Sequence, residues 1–91
     1  MLAILFMGST FAHNLTFKVD LGTATPSANG VHVAGSFQNP AWTPGATAMT
    51  QVGTSSIYQV TVTVPTGNYE FKFLNGNAWG DDETPGANCS I

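Results

Sequence analysis

Arginine is absent from this chain of 91 residues, and Lys18 and Lys72 are its only basic side chains apart from two histidines. The electrostatic footprint that phosphate-backbone binding demands is therefore missing, which excludes nucleic acid as a partner. Charged residues make up 8% against 43% hydrophobic ones, too little charge and too much apolar material for a disordered segment. The net charge of −3 draws mainly on one local run, Asp81, Asp82 and Glu83, so it supplies no extended acidic surface. A neutral or weakly charged ligand is expected. Cysteine is represented once, by Cys89, which leaves no disulfide within these residues and no thiol spacing for a metal or redox site. No apolar run approaches the ~18 residues that span a bilayer, and membrane insertion is not expected. The length allows one small domain, which rules out an enzyme built around an interdomain cleft.

What the chain does have begins with a short apolar run, Leu2 to Met7, followed by small residues. Thr10 and Ala12 fit a small-x-small cleavage pattern, so residues 1–12 read as the tail of a secretory signal peptide, with His13 as the mature start. The module then occupies residues 13–91, secreted, periplasmic or on the cell surface. The stop at Ile91 reads as a truncation within a larger protein that leaves the last strand in question.

Leu15, Phe17, Val19 and Leu21 alternate with Thr16, Lys18 and Asp20, the period of a half-buried strand. Val31, Val33 and Phe37 resume it around His32, Ala34 and Ser36, which places His32 on a polar, exposed side. Residues 38–54 are rich in Pro and Gly and hold at most one short strand between Ala46 and Val52. Tyr58, Val60, Val62 and Val64 alternate again, and Pro65-Thr66-Gly67-Asn68 predicts a hairpin into a strand with Tyr69, Phe71 and Phe73 on one face and Glu70, Lys72 and Leu74 on the other. Asn75-Gly76 predicts a tight turn before Ala78 and Trp79. Short strands, frequent turn residues and no helical period predict a small antiparallel β-sandwich. Its expected core is Phe17, Val19, Val33, Phe37, Tyr58, Val60, Val62, Phe71 and Phe73.

Candidate chemistry is sparse. Asp81, Asp82 and Glu83 are consecutive and point to different sides of an extended chain, unlike the facing acid pair of a glycoside hydrolase. They offer clustered oxygens to calcium but lack the alternate spacing of an EF-hand loop. His13 and His32 stand apart, so no catalytic residue, metal or cofactor is assigned. The two tryptophans are different, because both sit in turn-rich segments while the strands are already filled with Val, Phe and Tyr. A flat indole matches the C–H face of a pyranose ring. Removing roughly 100 Å² of joint apolar area per stacked sugar, at ~25 cal/mol per Å², gives about 2.5 kcal/mol per platform. With hydrogen bonds from Lys72, Asn75 and Asn77, Trp42 and Trp79 form the candidate carbohydrate site, as a pair of coplanar shelves facing one groove. The competing reading is an immunoglobulin-like spacer or protein-interaction module of a secreted multidomain protein, with both indoles packed.

Val31-His32-Val33-Ala34-Gly35-Ser36-Phe37, a nearby Trp42, the Pro65-Thr66-Gly67 turn and Tyr69-Glu70-Phe71-Lys72-Phe73 leading through Asn75-Gly76 to Trp79 follow one another in a distinctive order. From Leu15 to Asp82 the chain resembles the glycogen- and starch-binding modules of AMP-activated protein kinase β subunits and of branching and debranching enzymes, the family 48 and 20 type of carbohydrate-binding module. The resemblance implies an early-set immunoglobulin-like sandwich that binds α-1,4-glucans without catalysis, stacking Trp42 and Trp79 on glucose rings and hydrogen-bonding hydroxyls through Lys72. Gln38-Asn39-Pro40-Ala41 places more residues between Phe37 and Trp42 than that family has. The family's last strand also supplies an asparagine to the sugar site, for which Asn88 is the nearest substitute here.

Overall fold

The computed structural model describes residues 12–83 and 86–90. The leader expected at residues 1–12 lies outside them up to residue 11. Six strands follow in chain order, β1 (Ala12–Asp20), β2 (Val31–Gly35), β3 (Thr50–Gln51), β4 (Ile57–Pro65), β5 (Asn68–Asn75) and β6 (Ala87–Ser90), with no helix among the described residues. They form two antiparallel three-stranded sheets, β1-β4-β3 and β2-β5-β6. The all-β expectation holds, and a strand beyond β5 is present, since β6 pairs with β5 from Asn68↔Ser90 to Phe71↔Ala87.

Register explains the core. Phe17 faces Val60 across β1 and β4, with Leu15 opposite Val62 and Val19 opposite Tyr58, so one face of that sheet is continuously apolar. The second sheet answers with Val33 opposite Phe73. Phe17, Val31, Val33 and Met49 are buried between the sheets, with all the other expected core residues packed around them. The Phe17 ring lies 4.8 Å from both Phe37 and Phe71, and the latter pair meets edge to face. Met49 was not foreseen, because it falls in the stretch without a period. It enters the interior when its N–H donates to the Val31 carbonyl, at 2.8 Å.

Two turn expectations need correction. Pro65 and Asn68 join strands that lie in different sheets, so the connection is an arch and not a hairpin. The Tyr69 hydroxyl donates back to the Pro65 carbonyl at 2.6 Å, and His13 Nε2 lies 2.8 Å from the Thr66 hydroxyl, which fixes the corner. This is the tyrosine corner of sandwich folds, where chain crossing between sheets needs a side-chain clamp in place of ladder bonds. The Asn75-Gly76 turn is wider than two residues: the Asn75 N–H bonds the Asp81 carbonyl at 3.1 Å, and Leu74 bridges to Asp82. Trp79 rides on the loop enclosed between them.

Candidate functional site

The outer face of β2 and β5 is not the solvated surface that strict alternation predicts. Ala34 and Leu74 are buried there, and so is His32, in place of the exposed histidine expected from the sequence. Two loops roof them. The connection from β2 to β3 runs back along β2, where the Val33 N–H bonds the Thr47 carbonyl and His32 bridges to Ala48. The loop after β5 comes from the other side, and its Gly76 carbonyl accepts a 2.8 Å hydrogen bond from His32 Nδ1. The imidazole is thereby consumed as a strut. The loops also meet each other, because any side chain added at Gly45 would come within 3.2 Å of the Asn77 carbonyl.

This roof carries both tryptophans. Trp42 adopts φ +60, a left-handed conformation unusual for a bulky residue, and its N–H is held by the Gly35 carbonyl at 3.0 Å. Gln38 enforces the loop: its Oε1 accepts from the Gly35 and Thr43 N–H groups at 3.1 and 2.8 Å, while its Nε2 donates to the Thr43 carbonyl and Thr47 hydroxyl at 2.9 and 3.0 Å. On the opposite loop Gly76 has φ +142, and a Cβ there would run into the Asp81 carboxylate, so the turn that launches Trp79 requires glycine. The two indole centroids stand 6.4 Å apart with planes inclined by 45°. The two indoles are brought together, but their planes are inclined and not coplanar, and Trp42 lines a hollow that Trp79 does not. Trp79 is 48% exposed and Trp42 is half-buried.

Lys72 is half-buried on the same outer face, opposite Ala34 of β2. Its stem lies so close to Gly86 that a Cβ there would come within 2.9 Å of Lys72 Cγ. Its ammonium makes a 3.0 Å ion pair with Asp82. The Gly80 N–H and then Lys72 hold the Asp82 carboxyl below its ordinary value. The acidic run is dispersed, since Asp82 serves Lys72, Glu83 accepts from the Phe73 N–H, and Asp81 abuts Gly76.

Trp42, Lys72, Glu70 and Asn88, with the backbone of β5 and of residues 86–88, line a hollow of about 270 Å³. Asn88 was foreseen only as a substitute taken from the family pattern, yet β6 sets it beside Trp42 and Lys72. Asn77 is exposed on the Trp79 loop. Asn75 is committed elsewhere, because its Oδ1 accepts from the Ser27 N–H at 2.7 Å and its Nδ2 donates to the Thr25 carbonyl at 2.9 Å. Its amide thus holds a loop through both atoms, which leaves one N–H and one lone pair of Asn75 unused among the described residues. Gln38 carries no sequence signal beyond its place before a Pro-rich segment, since its role depends on which backbone groups the folded loop leaves unpaired.

Comparison with known proteins places this geometry in context. Residues 30–91 match the family described as the pullulanase X25 domain. An amylopullulanase of Thermoanaerobacter thermohydrosulfuricus is 38% identical over 64 residues, which cover 69% of this chain and 4% of that enzyme. The chain thus spans a small fraction of its curated relative. No solved structure matches.

Proposed function

The chain belongs to the pullulanase X25 domain family, and from that premise we propose that it is a non-catalytic α-glucan-binding module that holds a larger, secreted protein on starch-, glycogen- or pullulan-type polysaccharide. The observation that carries the reading is the indole pair, 6.4 Å apart and inclined by 45°. An α-1,4-glucan coils, so its successive rings present their faces at an angle, and inclined platforms follow that curvature where coplanar ones would suit a flat chain. Lys72, fixed by Asp82, and Asn88, across β5, offer donors to hydroxyls beside Trp42. The name of the amylopullulanase relative agrees with an α-glucan as ligand. The finer likeness to the glycogen-binding modules of kinase β subunits supports the same roles for Trp42, Trp79 and Lys72. Secretion fits the apolar leader pattern of residues 1–12.

Trp79→Ala tests this in affinity gels cast with glycogen or amylopectin. Losing one platform of about 2.5 kcal/mol weakens binding about 70-fold, with the thermal melt unchanged because Trp79 lies outside the core. Wild-type migration that no glucan retards overturns the proposal. The spacer reading draws on Trp42, which is half-buried, and it gains if acrylamide quenches neither indole.

A further inference from the structure

Beyond the indole rim, the outer face of β5 and β6 continues as a polar trough. A second, larger hollow of about 660 Å³ is lined there by Ser36, Asn68, Glu70, Asn88 and Ser90, with the Tyr69 and Cys89 rung between them. Glu70 and Asn88 also line the hollow that contains Trp42 and Lys72, so the two spaces adjoin along a shared wall. Register makes this orderly: Glu70 stands opposite Asn88 and Asn68 opposite Ser90, two rungs of a ladder that begins at Lys72. Residues alternate along a strand, so these rungs face the same way as Lys72 and are about 7 Å apart. From Lys72 to Asn68 the trough runs for about 14 Å, longer than a single pyranose ring.

The lining is free to bind. The side chains of Asn68, Glu70, Asn88 and Ser90 make no hydrogen bond to other described residues, in contrast to Asn75, whose amide oxygen and nitrogen each hold a loop backbone group. Their backbone is nonetheless fixed. The Ser36 N–H donates to the Glu70 carbonyl at 2.9 Å, and the Glu70 N–H donates to the Ser36 hydroxyl at 3.0 Å, which ties the end of β2 to the middle of β5. A carboxylate that, like Glu70, has no ion-pair partner among the described residues accepts from two vicinal hydroxyls, and primary amides both donate and accept. Hollows of this combined size take ligands larger than one ring.

We propose that Asn68, Glu70, Asn88 and Ser90 form an extended hydrogen-bonding subsite for further hexosyl units of a neutral glucan whose first rings lie on the indoles. The subsite rests on the glucan reading of the indole pair, and it makes the module select chain length through polar contacts along β5 and β6.

Calorimetric titration of the whole chain with maltotriose and maltoheptaose, on wild type, Asn68→Ala and Ser90→Ala, the two subsite positions that line the trough but not the hollow beside Trp42, tests it. Both substitutions sit on exposed side chains, and a thermal melt verifies that each variant folds. Multiple registers favour the longer sugar equally in all three proteins, so the variant-to-wild-type ratio isolates the trough. The expected result is a loss of about tenfold for maltoheptaose, equivalent to about 1.4 kcal/mol, with maltotriose affinity unchanged. Equal losses for both sugars, or none for either, overturn the subsite while the indole site stands. Wild type that binds neither sugar removes the indole reading as well.

Discussion

Replacing Gln38 by alanine should disable the site without touching any residue that faces a ligand. The side chain makes two acceptor bonds and two donor bonds of 2.8 to 3.1 Å within the loop between β2 and β3. Each is worth about 0.5–1.5 kcal/mol net, and the partly buried location lets water recover a share, so the loss should come to roughly 2–3 kcal/mol. For a domain of this size that lowers the melting temperature by about 10–20 °C. The consequence for binding comes through Trp42. Its φ of +60 costs about 1–3 kcal/mol and persists only while the surrounding loop over-determines it. Released from Gln38, Trp42 relaxes, the 6.4 Å pairing with Trp79 is populated less, and apparent glucan affinity falls about tenfold even where the domain remains folded. Gln38→Glu keeps the bonds to its Oε1 but sets a carboxylate oxygen against the Thr43 carbonyl, so it should destabilise at least as much as alanine. Circular-dichroism melts and affinity gels, run well below the variants' midpoints, measure the two effects separately. A Gln38→Ala protein that melts and binds like wild type refutes the assignment of Gln38 as the anchor that positions Trp42.

Two further outcomes follow from the same contacts. Because the Asp82 carboxyl is held below its ordinary value near 3.8 in the fold, its contribution is fully present above that value and is lost as pH falls through the lower folded value. Glucan retention should therefore stay level from neutrality down through the ordinary carboxylate value and drop only below it, as Lys72 loses its partner, and Asp82→Asn should show reduced retention with no such acid limb. At the arch between sheets, Tyr69→Phe removes the 2.6 Å bond to the Pro65 carbonyl, costing about 1 kcal/mol and lowering the melting temperature by about 4–8 °C.

Alternation makes β1, β4 and β5 and the core residues they carry legible, because their inward positions obey a period fixed by the pleat itself, whereas Val31, Met49 and β6 fall outside that reading. Connection was harder to read than strand. Pro65-Thr66-Gly67-Asn68 has hairpin chemistry, yet whether the next strand turns back beside its predecessor or crosses to the facing sheet depends on which neighbour completes each ladder, a property of the whole topology. In the sequence Tyr69 stands only as a strand residue on one face with Phe71 and Phe73, although its hydroxyl settles the question locally by reaching back four residues.

The burial of His32, Ala34 and Leu74 has a different cause, and it explains why this module has a site at all. Period-2 reasoning assigns an inside and an outside to one sheet, whereas β2 is buried along its whole length and on both faces. Its run Val31-His32-Val33-Ala34-Gly35 lacks any strongly polar outward residue, the pattern of a strand covered on both sides, and that signal was available in the sequence. The cover is the pair of loops that carry Trp42 and Trp79. A sandwich of this size has little interior to spare, and roofing β2 adds a second buried layer, with His32 spanning from strand to loop through the Gly76 carbonyl. The layer stops at Lys72, where the roof ends and the outer face of β5 opens onto β6. The indoles therefore stand at the boundary between the covered and the open half of a single sheet face. The contacts that close the roof also set the angle between the indoles, which is why their inclination lies beyond the reach of residue spacing and why the loop bonds of Gln38 bear on it.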